Sequence, residues 1–239
     1  MSKNFILIGT LFFIVLSITT LSHYRKNLSV IKSVESDFIK KCYQYSKITE
    51  SGLTDSAWLK MNINKKIDTI NGEYRNLPAE KDSKIGSFSG LFEPIGIKSS
   101  EQIANVWWES ASEGIFITEQ LKIVFTDEYA FVLFGEMIDR GDGIHVYKDS
   151  TKLTRGFQMT QIDCEQLEEQ LAVEKYIKEN IETIITDKPV LGGKWYVVSI
   201  KISKDSKIGN IIYEDGHIQG RANFKYTFDA NWEIVITIF

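Results

Sequence analysis

The sequence predicts an α+β fold: an N-terminal membrane helix, then a mainly antiparallel β-sheet domain with two amphipathic helices packed on it. Three observations carry this. Residues 5–21 form an uncharged, largely apolar run. Two later stretches repeat apolar residues every three or four positions, as on one face of a helix. The rest is rich in alternating, β-branched and aromatic runs punctuated by Asn-Gly and Asp-Gly pairs, the signature of hairpins.

The run from Phe5 to Leu21 is at the short end of the roughly 17–25 apolar residues that cross a bilayer. Residues 1–26 are therefore read as a transmembrane anchor or signal segment. The expected location is a single-pass membrane protein with its body outside the cytoplasm, the alternative being secretion after cleavage near Ser22. Lys3 precedes the run, whereas Arg25, Lys26, Lys32, Lys40 and Lys41 follow it. Flanking charge alone would keep the body inside; the short tail before a single apolar run resembles an export signal and favours the outside.

Residues 27–55 are expected to form an amphipathic helix or stalk, because Leu28, Ile31, Val34, Phe38, Cys42 and Tyr45 fall on one helical stripe before Gly52. Residues 56–239 form the α+β domain, with a possible subdivision near 160–194. Ala57, Leu59, Met61 and Ile63 alternate as on a half-buried strand, and Asn71-Gly72 is the expected turn of the next hairpin. Gly86 and Gly90 suggest irregular backbone. Ile115, Ile117, Leu121, Ile123 and Phe125 alternate with Thr118, Gln120 and Lys122, and residues 129–134 are apolar on both faces, as in a central strand. Asp163, with Gln166 three residues on, opens the second helix. Its stripe is Leu167, Leu171, Ile177, Ile181 and Ile184, and Pro189 follows its end. Asp215-Gly216 turns a hairpin, and Trp232, Ile234, Ile236 and Ile238 read as a closing strand.

Hydrophobic residues make up 43% of the chain and aromatic residues 12%, enough for a packed core rather than a disordered segment. The first 26 residues hold Lys3, Arg25 and Lys26 and no acid, so the remainder is more acidic than the overall charge of −4. An acidic body lacks the basic footprint that nucleic acid requires, and no nucleic-acid partner is expected. Cys42 and Cys164 form a possible disulfide in an oxidising compartment.

No motif carries catalysis. His145 with Asp139 and Asp142 is the candidate acid–base group, on strand ends beside an Asp-Gly turn. The stretch from Asp139 fails as a calcium loop, since Ile144 and Ser150 stand where Gly and Glu are needed. No helical His pair suggests a metal site, and no cofactor is expected. Trp107, Trp108, Trp195 and Trp232 are the candidate binding residues, since exposed aromatics anchor interfaces and buried ones fill cores. The expected function is a membrane-tethered extracytoplasmic domain, leaning to non-enzymatic, that binds another protein as an inhibitor or immunity-type protein would. The alternatives are an envelope hydrolase using carboxylates with His145, and a small-ligand-binding domain. The expected partners are the membrane, through Phe5 to Leu21, and an unidentified protein.

Overall fold

The computed structural model describes residues 38–239 except 51, 80, 94–99, 113 and 204–205. It corrects the expected fold class: the chain is mostly β, with an eight-stranded closed barrel, a second sheet and one α-helix among the described residues. That is not an α+β sheet carrying two amphipathic helices. No described helix is long and apolar enough to cross a membrane, so the expected transmembrane helix is not among these elements. The run from Phe5 to Leu21 lies outside the described residues.

The barrel begins with six long strands in meander order: β1 (Phe38–Ile48), β2 (Thr54–Asn64), β3 (Thr69–Leu77), β4 (Lys84–Glu93), β5 (Gln102–Ser112) and β6 (Ile115–Phe125). Each pairs antiparallel with the next. β7 (Tyr129–Phe134) pairs with β6, and β11 (Met159–Ile162) pairs with both β7 and β1, which closes the ring. Closure removes the unpaired edges that a half-open sheet would expose. Three short strands decorate it: β8 (Met137–Asp139), β9 (Ile144–Tyr147) and β10 (Thr154–Arg155). β9 joins β6 in parallel and β8 antiparallel, and β10 pairs with β7.

The amphipathic helix or stalk expected over residues 27–55 is corrected where it is described: residues 38–48 are β1, hydrogen-bonded along their length to β2. A boundary at residue 55 would therefore cut a hairpin. Phe38, Cys42 and Tyr45 keep helical spacing by coincidence. Around Cys42–Tyr45 both faces of β1 are covered, by the barrel core and by the helix Cys164–Ile184, so Cys42 adds an apolar residue to the outer face and blurs the period of two that marks a half-buried strand. Tyr43 and Tyr45 belong to the barrel core, whereas Cys42 packs outside against Trp58 and Leu167. The Asn71-Gly72 turn is likewise corrected. Both residues lie inside β3, and the chain reverses at residues 65–68, where Asp68 takes φ 51°. Gly86 and Gly90 lie in a continuously paired strand rather than in irregular backbone.

The interior is built from every second residue of each strand. Leu59, Met61, Ile63, Ile70, Tyr74, Phe88, Trp108, Leu121, Ile123 and Phe125 are all buried in one cluster. The large internal void that a ligand-filled barrel would need is thus occupied by side chains, as small barrels allow.

Helix α1 (Cys164–Ile184) lies on the outside of the barrel and continues onto the second sheet. The Asp163 carboxylate caps it, accepting from the N–H groups of Glu165 (2.8 Å) and Gln166 (3.1 Å). Cys42 and Cys164 are joined as a disulfide, with Cα atoms 5.2 Å apart. Leu167 packs on Trp58, Gln170 accepts from Gln44 (2.9 Å), and Glu168 and Glu174 meet Lys60 and Arg75. Asn180 leaves helical geometry at φ −121°, a kink in the last third. Ile177, Ile181 and Ile185 then pack on Trp195, Ile211, Tyr213, Phe224 and Tyr226. That second sheet runs β12 (Tyr196–Ile202), β13 (Ile208–Glu214), β14 (Gln219–Phe228) and β15 (Ile234–Ile238), all antiparallel. Trp232 precedes its closing strand instead of joining it.

Candidate functional site, a polar mouth of the barrel

At one end of the barrel the inward positions turn from apolar to polar. Alternation along β3 puts Asn76 on the face of Ile70 and Tyr74, and Asn76 stands opposite Lys84 of β4. Tyr74 stands opposite Gly86, Gly86 opposite Ser110, and Trp108 opposite Glu119 of β6. Four neighbouring strands thus bring Asn76, Lys84, Ser110, Trp108 and Glu119 to one mouth.

Lys84 Nζ donates to both carboxylate oxygens of Glu119, at 2.8 and 2.7 Å, and lies 5.8 Å from the centroid of the Trp108 ring. Glu119 is 12% exposed, so the pair is largely withdrawn from water and its members neutralise one another. Tyr74 packs against Trp108 at 5.1 Å, and burial pushes its hydroxyl well above the usual tyrosine range. Nearby, Tyr147 accepts from the Lys122 N–H and donates to the Leu133 carbonyl at 2.7 Å. Burial pushes its pKa up to about 12.

Around this ion pair lie buried polar atoms with no hydrogen-bond partner among the described residues: Trp108 Nε1, Asn76 Oδ1 and His145 Nδ1. His145 joins the group through strand register. It stands opposite Glu119 in the parallel β6–β9 pairing and opposite Asp139 in β8–β9. A buried donor or acceptor without a partner costs about 1–3 kcal/mol. Three of them beside a buried ion pair mark a place that a hydrogen-bonding molecule could satisfy.

The sequence candidates disperse otherwise. Asp142 bonds to Arg140 (2.6 Å) and to the Ile144 N–H (3.2 Å), and the Arg140 contact holds its carboxyl below the usual range. Asp139 accepts from the Gly141 N–H at 2.7 Å. These are turn-forming roles for the two carboxylates, and no described group of three His, Cys, Asp or Glu side chains could hold a metal ion. Trp195 is buried in the second core and donates to the Asp187 carbonyl at 2.8 Å. Trp107 is exposed on the outer wall of the barrel, beside Ser87, Ser89 and Asn71 in a shallow trough of about 420 Å³. Trp232 is 81% exposed at the β14–β15 turn, at φ 64°. Of the four tryptophans, only Trp108 lies at the mouth with His145.

A larger cleft of about 660 Å³ separates the barrel wall at Gln44, Ser46 and Thr160 from Lys201, Asn210 and Asn223 of the second sheet. Gln44 bonds to Gln170 and Asn210 to Asn223, while Gln158, also lining the cleft, is exposed. Two other buried polar atoms without a partner among the described residues, Trp58 Nε1 and Arg75 Nε, lie beneath α1; the mouth differs in gathering three beside one ion pair.

Asn76, Lys84 and Glu119 escaped the sequence reading. Glu119 carried a readable signal: it falls on the same parity as Ile117, Leu121, Ile123 and Phe125, a lone acid on the apolar face of an alternating strand. Lys84 and Asn76 had none, since each lies at a strand end where polar residues are ordinary.

No known family, curated protein or solved structure matches this chain.

Proposed function

We propose that the chain is a non-enzymatic binding module acting outside the cytoplasm, and that its barrel mouth takes up a small, neutral molecule bearing both hydrogen-bond donors and acceptors. The observation that carries this reading is the set of unpartnered polar atoms on Trp108, Asn76 and His145 around the Lys84–Glu119 pair. Trp108 offers a donor and the Asn76 carbonyl oxygen an acceptor. The ion pair already balances its own charge, so a ligand rich in hydroxyl or amide groups suits the site better than an ion. The filled interior favours a ligand held at the mouth over one enclosed in the barrel. Binding is favoured over acid–base chemistry because Asp139 and Asp142 serve their own turn. The apolar run from Phe5 to Leu21 and the Cys42–Cys164 bond support a place outside the reducing cytoplasm.

The test is a tryptophan-fluorescence titration of the protein with neutral sugars, amides and short peptides. A ligand should perturb the emission of the wild type, and Asn76→Leu should weaken it roughly tenfold, the worth of one lost hydrogen bond. Trp107→Ala, on the outer wall, should bind normally. A ligand whose affinity ignores Asn76 and Glu119 substitutions, or one that is chemically turned over, would refute the proposal.

A further inference from the structure

The two edges of the second sheet are unlike. β12 is blunted: its register shifts between Val197 and Ser199, it carries Lys201, and it lies against β2 of the barrel. A bulge, a lysine and a covering element each discourage edge-to-edge pairing. β15 has no bulge and no charged residue, and α1 meets it through the inner face that Ile234 and Ile236 present to the core. Among the described residues it pairs only with β14, and its sequence Ile-Val-Ile-Thr-Ile has no charge, proline or glycine.

The hydrogen-bond phase shows what the open edge offers. Phe239 N–H donates to the Asn223 carbonyl (3.0 Å) and Asp229 N–H donates to the Glu233 carbonyl (3.0 Å). Residues 233, 235, 237 and 239 are therefore the ones bonded to β14, and alternation turns the N–H and C=O groups of Ile234, Ile236 and Ile238 outward. The side chains of Ile234 and Ile236 pack on the core beneath α1 but stay only half-buried, whereas Phe224 on the neighbouring strand is fully buried.

We infer that β15 is a self-association edge and that its occupant is β15 of a second copy of this chain, antiparallel about a two-fold axis at Ile236. The strand is self-complementary. Such an axis sets Ile236 against Ile236, Ile234 against Ile238 and Val235 against Thr237, with no like charges opposed. Each of the isoleucine pairs exchanges two backbone hydrogen bonds from groups already facing outward. The isoleucine side chains continue the core beneath α1 from one copy into the next. Because the β12 edge is blocked, pairing stops at two chains and does not propagate as a fibril.

The test uses the full-length chain, in detergent where the apolar run requires it, measured by sedimentation equilibrium and by cysteine cross-linking. The wild type should be dimeric at micromolar concentration. Ile238→Pro removes an outward N–H without touching the β14 ladder, and should raise the dimer dissociation constant at least tenfold. Val235→Cys chains mixed with Thr237→Cys chains should cross-link on oxidation, since those positions face each other, while Lys225→Cys on the inner strand should not. A wild type that is monomeric at tens of micromolar and gives no mixed cross-link would overturn the inference. So would a dimer that Ile238→Pro leaves intact.

Discussion

Gly72 stands directly opposite Phe88 across β3 and β4, and the Phe88 ring occupies the space that a side chain on Gly72 would need. A Cβ at Gly72 would fall 2.8 Å from Phe88 Cζ and 1.9 Å from the Lys60 carbonyl oxygen. The glycine is there for close approach inside the barrel. Gly72→Ala should therefore destabilise the protein by about 1–3 kcal/mol, the usual cost of overpacking, although alanine suits a regular strand better than glycine does. Urea denaturation decides it, and a neutral or stabilising change would mean that the two strands are not in this register.

Lys84 and Glu119 share the barrel mouth, and each keeps the other's charge tolerable there. Glu119→Gln leaves the Lys84 ammonium facing Trp108 without its counter-charge and should cost about 2–4 kcal/mol. Replacing both, as Lys84→Met with Glu119→Leu, should restore most of that loss while abolishing ligand binding. A double-mutant cycle in chemical denaturation gives the coupling; additive effects would show that the pair does not interact.

Cys42 of β1 and Cys164 at the start of α1 are 122 residues apart in sequence. A cross-link over so long a loop constrains the unfolded chain strongly, and its removal in Cys42→Ala/Cys164→Ala should cost about 3–5 kcal/mol. The loss should appear first where α1 meets the barrel, as faster amide exchange around Leu167 and Trp58. Identical midpoints with and without reductant would contradict this.

Asp215 ties its own hairpin turn to the backbone at Val190. Its carboxylate accepts from the N–H groups of Ile218 (2.8 Å), His217 (2.9 Å) and Val190 (2.6 Å), chiefly the first, and these hold it below the usual carboxylate range. A carboxyl depressed in the folded state contributes stability that is fully present above its unfolded value and is lost as pH falls through its folded value. Stability of the second sheet should therefore decline only below the ordinary carboxylate range. Asp215→Asn should be less stable at neutral pH and show a flatter acid limb. Parallel acid limbs for the two proteins, followed by Trp195 emission, would rule out this role.

Much of the β architecture was legible because alternation is a local property. Ile115 to Phe125 was readable as a strand, Asp163 as a helix cap and Asp215-Gly216 as a hairpin turn, since each depends on neighbours a few residues away. Asn71-Gly72 misled because glycine serves both tight turns and close packing, and only the partner strand distinguishes them. Residues 38–48 misled because α1 covers the middle of the outer face, where Cys42 interrupts the polar side of the pattern. At the mouth, Glu119 could be suspected from its parity. Its partnership with Lys84 spans an intervening strand and needs the register of β4, β5 and β6 together.

By itself, the sequence determined where several strands alternate, where α1 starts and where the Asp215-Gly216 hairpin turns. Those choices follow from side-chain period, capping and backbone preference within a few residues. The tertiary structure alone decided that β1 and β11 close a barrel, that Cys42 faces outward to α1, and that Trp108, His145 and the Lys84–Glu119 pair share one end. Closure is enforced by backbone hydrogen bonds between strands more than a hundred residues apart. Those bonds are satisfied by geometry common to every residue, and so leave no mark in the side-chain pattern that a sequence displays.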